Sequence, residues 1–266
     1  MARIERLRVY PVKGLDGVAL DESGLTPGGT LEHDREYALF DAEGERINGK
    51  WSDGVHRVRT GFDPETHALS VRAVGEDEAD AERFVLADQR GRERAANWFG
   101  DFFGEPVELR RNTETGFVDR PTAGPSVIST ATIETVAGWF DDISVEGLRR
   151  RLRANVEVSG VPAFWEDRFV GADAPTFAAG DVELAGAEPC ARCVVPERDP
   201  DTGERTGNFR QAFVKRRRET FPAFADPEAF DHYYTLMLIA RVVEASPDAT
   251  LAVGDPVAVR DRVSRG

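Results

Sequence analysis

The chain has only two cysteines, Cys190 and Cys193, among its 266 residues. Two cysteines three positions apart exclude the disulfide framework of a small secreted protein. No segment approaches the roughly 20 apolar residues that cross a bilayer, and the N-terminus lacks the apolar core of a signal peptide. We therefore expect a cytoplasmic protein with free thiols and no membrane partner.

Positive charge is also scarce, since 34 basic residues face 48 acidic ones and the formal net charge is −14. This average field repels nucleic acid and anionic membranes, so we expect neither as a partner. Lysine occurs only at Lys13, Lys50 and Lys215. Acid-rich, lysine-poor surfaces suit concentrated salt, which screens self-repulsion, and so indicate a halophilic protein. An ordinary acidic soluble protein is the alternative.

The first 85 residues alternate apolar and polar side chains in the manner that predicts β-strands. The pattern covers the segment before Pro11, a hairpin with its turn at 41–44, and two strands around Asp63 and Pro64. These strands predict a small sheet or barrel. A helix follows at 92–104, where aromatic residues recur every three to four positions before the glycine stop Gly104. We expect this aromatic stripe to lie in the core.

The stretch NTETGFVDRPTAGP, rich in threonine, glycine and proline, is the best linker candidate. It predicts a boundary near residue 120, with one domain at 1–120 and another at 121–266. The second domain should begin with a helix capped at Ser129 or Thr130, followed by a basic helix that runs into a strand. A hairpin then delivers the cysteines into a loop, and a strand pair at 250–259 completes a β-rich α+β protein.

The C-x-x-C pair is compatible with several kinds of site. A structural zinc site needs four ligands, and the chain has only four histidines, none at paired ligand spacing. A thioredoxin-like dithiol should open a helix, whereas Pro196 and Pro200 interrupt the segment after Cys193. Two buried, inert thiols are a third interpretation, and a thiolate that binds another metal is a fourth.

Several segments together resemble the MOSC family, which is named after the C-terminal domain of molybdenum cofactor sulfurases. EPCARCVVPERDPDTGE at 188–204 resembles its P-C-x-R-C and D-P-x-T-G signature, and VYPVKGLDG at 9–17 resembles the opening of the β-barrel domain that precedes it. HDREYALFDAEG, SVIST, RLRANVEVSG and VGDPV resemble further family segments in the same order. The chain departs from the pattern at Gly14 and Leu15, where serine and cysteine are usual, and at Ala154, where proline is usual.

The resemblance implies a fold and a cofactor. The fold is an N-terminal β-barrel-like domain followed by a MOSC β-barrel domain with flanking helices. Within the family, the chain resembles the amidoxime-reducing components and their bacterial counterparts, which bind a molybdenum–molybdopterin cofactor through a cysteine. By motif position, Cys193 is the metal ligand and catalytic residue, and a thiolate suits so soft a centre. Arg192 beside it is expected to favour that thiolate.

Such a cofactor also carries a phosphate and a polar pterin, which call for cations and directed hydrogen bonds. The matching motif positions assign these contacts to Lys13, Gly14, Arg35, Ser129, Arg153, Asn155 and Arg192. Because these residues come from both halves of the chain, one shared ligand must lie in the cleft between the two domains. The aspartates of RDPDTG are expected to shape a turn.

The resemblance also implies an enzyme that removes oxygen from N-hydroxylated compounds, such as amidoximes and hydroxylaminopurine-type bases. No further cysteines are present for an iron–sulfur cluster, so electrons should come from a separate ferredoxin- or cytochrome-type protein and its reductase. The alternative is a carrier that holds molybdenum cofactor, or a persulfide for sulfur transfer, for other molybdoenzymes. We expect a monomer.

Overall fold

The computed structural model describes residues 1–50, 52–120, 123–246 and 248–260. In these ranges the protein is a β-rich α+β structure, and no helix is long and apolar enough to cross a membrane. The strands are β1 (Arg3–Val9), β2 (Val18–Leu20), β3 (Glu22–Gly24), β4 (Tyr37–Phe40), β5 (Val58–Asp63), β6 (Ala68–Ala73), β7 (Glu82–Val85), β8 (Glu108–Arg111), β9 (Ser126–Ser129), β10 (Val156–Ser159), β11 (Thr176–Ala179), β12 (Val182–Ala191), β13 (Thr235–Glu244), β14 (Thr250–Ala252) and β15 (Val257–Arg260). The helices are α1 (Gln89–Phe103), α2 (Thr130–Ala137), α3 (Val145–Leu152) and α4 (Phe209–Glu219).

An eight-stranded sheet in the order β15-β11-β12-β13-β9-β10-β1-β2 joins the two ends of the chain. The predicted first strand is confirmed, and it pairs antiparallel with β10 so that Leu7 faces Val156. Strands from before residue 120 thus complete a sheet built mostly by later residues. The domain boundary near residue 120 stays a prediction, and Pro121 and Thr122 lie outside the described residues.

A second core lies within the first 110 residues, where β5, β6 and β7 form one sheet and β4 pairs with β8. The predicted helix α1 covers this core, and its aromatic stripe is buried or half-buried against it. The Asp88 carboxylate accepts a hydrogen bond from the Gly91 backbone N–H at 2.6 Å and caps the helix. Gly104 ends it with φ 77°, a conformation that costs glycine little.

Two of the local predictions differ from the structure. The turn at 41–44 is closed by a single bridge, and β4 makes its ladder with β8 instead of a hairpin partner. The predicted pair at 250–259 is wrong as a pair, because β14 bonds to β3 and β15 bonds to β11. Strand partners depend on tertiary packing, which a local alternation of side chains does not report.

Helix α4 has no counterpart in the sequence predictions. Its buried positions are Phe209, Phe213 and Arg217, spaced by one helical turn. Because the third of these positions is an arginine, only two apolar residues mark the buried face, which is too few to predict a helix. The Arg217 guanidinium is fully buried and donates to the Asp167 carboxylate at 2.5 Å.

Candidate functional site

A cavity of about 630 Å3 lies between residues from both halves of the chain. Its walls come from the turn after β1, the segment at 48–61, the connection before β9, the end of α3 and the loop after β12. Seven of the eight residues predicted for the site line it, namely Lys13, Gly14, Arg35, Arg153, Asn155, Arg192 and Cys193.

Ser129 is the exception, because it does not line the cavity. Its side chain is fully buried at the start of α2, where Oγ accepts from the Thr132 backbone N–H at 3.0 Å and donates to the Pro162 carbonyl at 3.1 Å. Ser126, at the other end of β9, lines the cavity instead. It donates from Oγ to the Asn155 amide oxygen at 2.9 Å.

The amide of Asn155 joins three segments at the floor of the cavity. Its oxygen also accepts from the Ser126 backbone N–H at 3.1 Å, and its nitrogen donates to the Arg8 carbonyl at 3.1 Å. These bonds tie β9 and β10 to β1. Asn155 therefore links wall segments that come from the two halves of the chain.

The ring of Tyr10 contacts one guanidinium from each half of the chain. Arg35 lies 5.1 Å from the ring centroid and Arg153 lies 4.0 Å from it, both within cation–π range. Both arginines adopt positive φ, 55° and 60°, which is uncommon for residues with a side chain. Arg153 is the cap that ends α3, and its backbone N–H donates to the Arg149 carbonyl at 3.0 Å.

These two arginines differ in their partners. Burial opposes the charge of Arg35, but the adjacent Asp34 carboxylate outweighs it and raises the pKa of Arg35. Burial lowers the pKa of Arg153 to about 10, and its Nη2 atom has no hydrogen-bond partner among the described residues. Arg153 therefore remains charged at neutral pH and offers an unused donor to the cavity.

Lys13 is buried in the cavity wall, and Lys13 and Lys50 both bond to Asp119. The Lys13 ammonium donates to the Asp119 carboxylate at 2.5 Å and to the Phe117 carbonyl at 2.7 Å. Lys50 donates to the other carboxylate oxygen at 3.0 Å. Burial lowers the pKa of Lys13 to about 8, although Asp119 partly offsets this effect. Lys13 has three donors and uses two of them here, so one remains for a ligand.

The two cysteines occupy different places. Cys190 lies within β12 and is buried, whereas Cys193 lies in the following loop and is half-buried; both residues line the cavity. The Arg192 guanidinium donates to Cys190 Sγ at 3.2 Å and to the Leu152 carbonyl at 3.0 Å. The hydrogen bonds of the Arg192 side chain thus go to Cys190 and Leu152, and its support of the Cys193 thiolate stays a prediction.

The loop after Cys193 forms the predicted turn. Asp199 accepts hydrogen bonds from the backbone N–H groups of Asp201 and Thr202 at 2.9 and 3.0 Å. Asp201 instead reaches the cavity, where Arg59 and Arg150 donate to it at 2.5 and 2.9 Å. The turn thus brings a carboxylate from the second half against an arginine of the first.

The charge of the cavity is opposite to that of the whole chain. Among the described residues its walls contain twelve arginines and lysines but five aspartates and glutamates, whereas the net charge of the chain is −14. Clefts lined by one sign of charge focus the field on a ligand of the other sign. This cavity therefore suits an anionic ligand.

Three polar atoms of the wall fit the same interpretation. Arg153 Nη2, Arg192 Nε and His56 Nε2 are buried and have no hydrogen-bond partner among the described residues. Buried polar atoms are normally satisfied, so unpaired ones on residues that line a cavity indicate a missing ligand or water. With a half-buried thiol beside them, the wall fits a group with an anionic part and a soft metal.

His56 belongs to this wall, but no sequence signal identified it. Burial, followed by the Arg198 charge, lowers the pKa of His56, so its ring is neutral near pH 7. A neutral imidazole offers one donor and one acceptor. A lone histidine outside any motif gives no functional signal in the sequence.

A second group of chemistry-bearing residues, outside the cavity lining, contains His33, Glu36 and His67. His33 Nδ1 lies 2.9 Å from a Glu36 oxygen, but Arg111 donates to the other oxygen at 2.6 Å. The Tyr37 hydroxyl is 3.1 Å from His67 Nδ1. Because a guanidinium already neutralises the carboxylate, this geometry favours an ion-pair cluster over a metal site.

The family model of the "MOSC N-terminal beta barrel domain" matches residues 1–106, and that of the "MOSC domain" matches residues 125–258. The chain belongs to the MOSC domain family. Lys13, Gly14 and Arg35 fall in the first match and Arg153, Asn155, Arg192 and Cys193 in the second, so both matched segments contribute to the cavity.

Curated relatives of this MOSC protein extend over nearly its whole length. The bovine mitochondrial amidoxime reducing component 2 is 24% identical, and the match covers 96% of this chain and 82% of the relative. The human mitochondrial amidoxime-reducing component 1 is 23% identical with the same coverage. The crystal structure of the YUAD protein from Bacillus subtilis matches 98% of this chain and 97% of its own, with 13% identity and a TM-score of 0.39. At this TM-score the match supports no structural inference.

Proposed function

We propose that this MOSC protein binds a molybdenum–molybdopterin cofactor in the cavity and reduces N-hydroxylated compounds. One observation carries the proposal: the half-buried thiol of Cys193 shares a cation-rich cavity with guanidinium donors that have no protein partner. A thiolate suits a soft metal, and cations suit a terminal phosphate. The relatives named amidoxime reducing components support the substrate class.

The proposed roles follow from where each side chain lies. Cys193 would hold the metal, and the remaining wall residues would hold the anionic and polar parts of the cofactor. Arg153 and Arg35 are oriented by the Tyr10 ring, and Arg192 is fixed by Cys190 and Leu152. Preset donors of this kind lose little conformational freedom when they bind an anion. When bound, the cofactor supplies the two-electron reducing centre of the reaction.

The chain itself positions the substrate and supplies polar contacts. Removal of oxygen from an N-hydroxyl group consumes two electrons and two protons and yields the amine or amidine and water. The neutral His56 ring has an unpartnered Nε2 atom in the wall, and Asp119 is held in the same wall by Lys13 and Lys50. These groups are the hydrogen-bonding side chains that we propose contact the N-hydroxyl group and its leaving oxygen. A separate ferredoxin- or cytochrome-type protein would deliver the electrons.

Steady turnover tests the proposal. Protein purified from its native host should contain molybdenum and pterin, and it should convert an amidoxime to the amidine repeatedly with a chemical reductant. Labelled sulfur transferred from Cys193 to an acceptor molybdoenzyme, without steady turnover, would support the carrier function instead. Protein that holds neither molybdenum nor pterin would contradict the reductase function.

A further inference from the structure

Helix α4 presents positive charge on the surface of an acidic chain. Arg210, Lys215, Arg216 and Arg218 are exposed there, whereas the net charge of the whole chain is −14. Arg216 pairs with Glu219 at 3.5 Å, and the other three make no ion pair within the described ranges. A solvated helix face is usually balanced by neighbouring carboxylates, so a cluster of unpaired cations provides a local attractive field for an anionic partner.

The opposite face of α4 is firmly anchored. Phe209 stacks on Phe140 with ring centroids 4.5 Å apart, and Phe213 meets Trp139 edge-on at 5.4 Å. Arg217 donates to Asp167 at 2.5 Å beneath the helix. The exposed cations therefore stand on a rigid element, which lowers the conformational cost of binding a partner.

One aromatic side chain connects this face to the loop of the proposed metal ligand. The Arg210 guanidinium lies over the Tyr234 ring, 5.0 Å from its centroid. The Tyr234 hydroxyl donates to the Cys193 carbonyl at 3.3 Å, and the Arg192 backbone N–H donates to the Tyr234 carbonyl at 2.9 Å. Arg210 of α4 is thus connected to the Cys193 loop through one side chain, Tyr234.

We propose that the exposed face of α4 is the docking surface for an acidic one-electron carrier protein. The inference rests on the proposed reductase function, which needs two electrons and two protons for each N-hydroxyl group. Two reduced carriers each lose one electron in turn, solvent supplies the protons, and the products are the amine or amidine and water. Complementary charge would orient the carrier next to the Cys193 loop and accelerate its association.

The test uses a triple variant, Lys215→Glu, Arg216→Glu and Arg218→Glu, which leaves Arg210 and its contact with Tyr234 intact. The control is Arg57→Glu, Arg90→Glu and Arg94→Glu, which makes the same charge change at exposed residues outside the cavity lining. The probe is a strongly acidic [2Fe–2S] ferredoxin. Its binding is measured by calorimetry at low and high salt, and amidoxime turnover is measured with reduced ferredoxin and with dithionite.

The α4 variant should weaken ferredoxin binding at low salt at least tenfold, while the control should change it less than twofold. Ferredoxin-driven kcat/KM should fall in parallel, and dithionite-driven turnover should stay within twofold of the unchanged protein. Equal losses in both variants, or no ferredoxin binding by the unchanged protein, would overturn the docking surface. Selective loss of affinity for a DNA oligonucleotide would overturn it in favour of a nucleic-acid site. Ferredoxin binding that depends on α4 without turnover by either reductant would support docking and reject the reductase function.

Discussion

Arg192 Nη1 lies 3.2 Å from Cys190 Sγ, so the arginine between the two cysteines contacts the first thiol. Cys190 is buried within β12 among apolar side chains, and this contact orients the guanidinium that also bonds to Leu152. Cys193 keeps its half-buried place in the cavity wall. The two thiols therefore differ in burial and in partners, and Cys193 is the one that we propose as the metal ligand.

The Asp119 carboxylate neutralises two of the lysines that would bind an anion. We expect Asp119→Asn to strengthen binding of inorganic pyrophosphate, because Lys13 and Lys50 lose their competing partner. Lys13→Met should weaken it about tenfold, as expected for loss of one charge-assisted hydrogen bond. Calorimetry on the cofactor-free protein measures both changes, with circular dichroism as the control for folding. Weaker pyrophosphate binding by Asp119→Asn, or stronger binding by Lys13→Met, would show that these lysines do not bind the anion.

The Tyr10 ring should matter for cofactor retention because it orients two guanidiniums. Tyr10→Leu removes both cation–π contacts, each worth roughly 0.5–2 kcal/mol, and should lower the pterin content of purified protein. Tyr10→Phe keeps the ring and loses only the hydroxyl contact with the Ala154 carbonyl at 3.3 Å. Pterin analysis of both variants provides the comparison, and equal retention in the two would contradict the orienting role.

Glu166 predicts a pH dependence of stability. Its carboxylate is buried at the start of α2 and accepts from the Ser129 N–H and the Thr132 hydroxyl at 3.2 and 3.1 Å. Burial, followed by the Asp167 charge, raises the pKa of Glu166 to about 8 from an ordinary value of 4.5. Above pH 4.5 the unfolded state loses this proton while the folded state keeps it, so the contribution to stability declines as pH rises toward 8.

The Glu166→Gln variant should therefore show a flatter dependence of Tm on pH between about 5 and 8. Thermal melts of both proteins across that range measure it. Parallel curves would mean that Glu166 titrates at its ordinary pKa.

The acidic composition predicts that the folded state needs salt for its stability, as the halophilic interpretation requires. Lowering the salt should expose repulsion among the 48 acidic residues and lower Tm. Melts in dilute and in molar potassium chloride test it. The same Tm in both solutions would reject the interpretation.

Local patterns predicted elements better than they predicted partners. Alternation identified β1 and β5, and aromatic spacing identified α1, because both signals lie within a few residues of one another. The pairing of β1 with β10 joins residues 150 positions apart and has no local signal. The residues taken from the family motifs line one cavity, apart from Ser129. Motifs identify individual functional positions, which local periodicity does not.

The residues outside motifs were the ones that sequence reasoning missed. Asp119 lies in the segment interpreted as a linker, so its ion pairs with Lys13 and Lys50 could not be predicted. His56 is a single histidine in a short turn. Ser129, in contrast, lies in a family segment, and its predicted place as the cap of α2 is confirmed, whereas its predicted contact with the cofactor stays a prediction.

If Cys193, and not Cys190, binds the metal, two cysteine variants should differ in their molybdenum content. Cys193→Ser replaces a soft thiolate with a poorly ionised hydroxyl, whereas Cys190→Ser changes a buried side chain that touches Arg192. Both variants are purified in parallel from the native host, and molybdenum per protein is determined by mass spectrometry. We expect near-complete loss of molybdenum in Cys193→Ser and substantial retention in Cys190→Ser. Equal loss in both variants, as a two-thiol site would give, would contradict it.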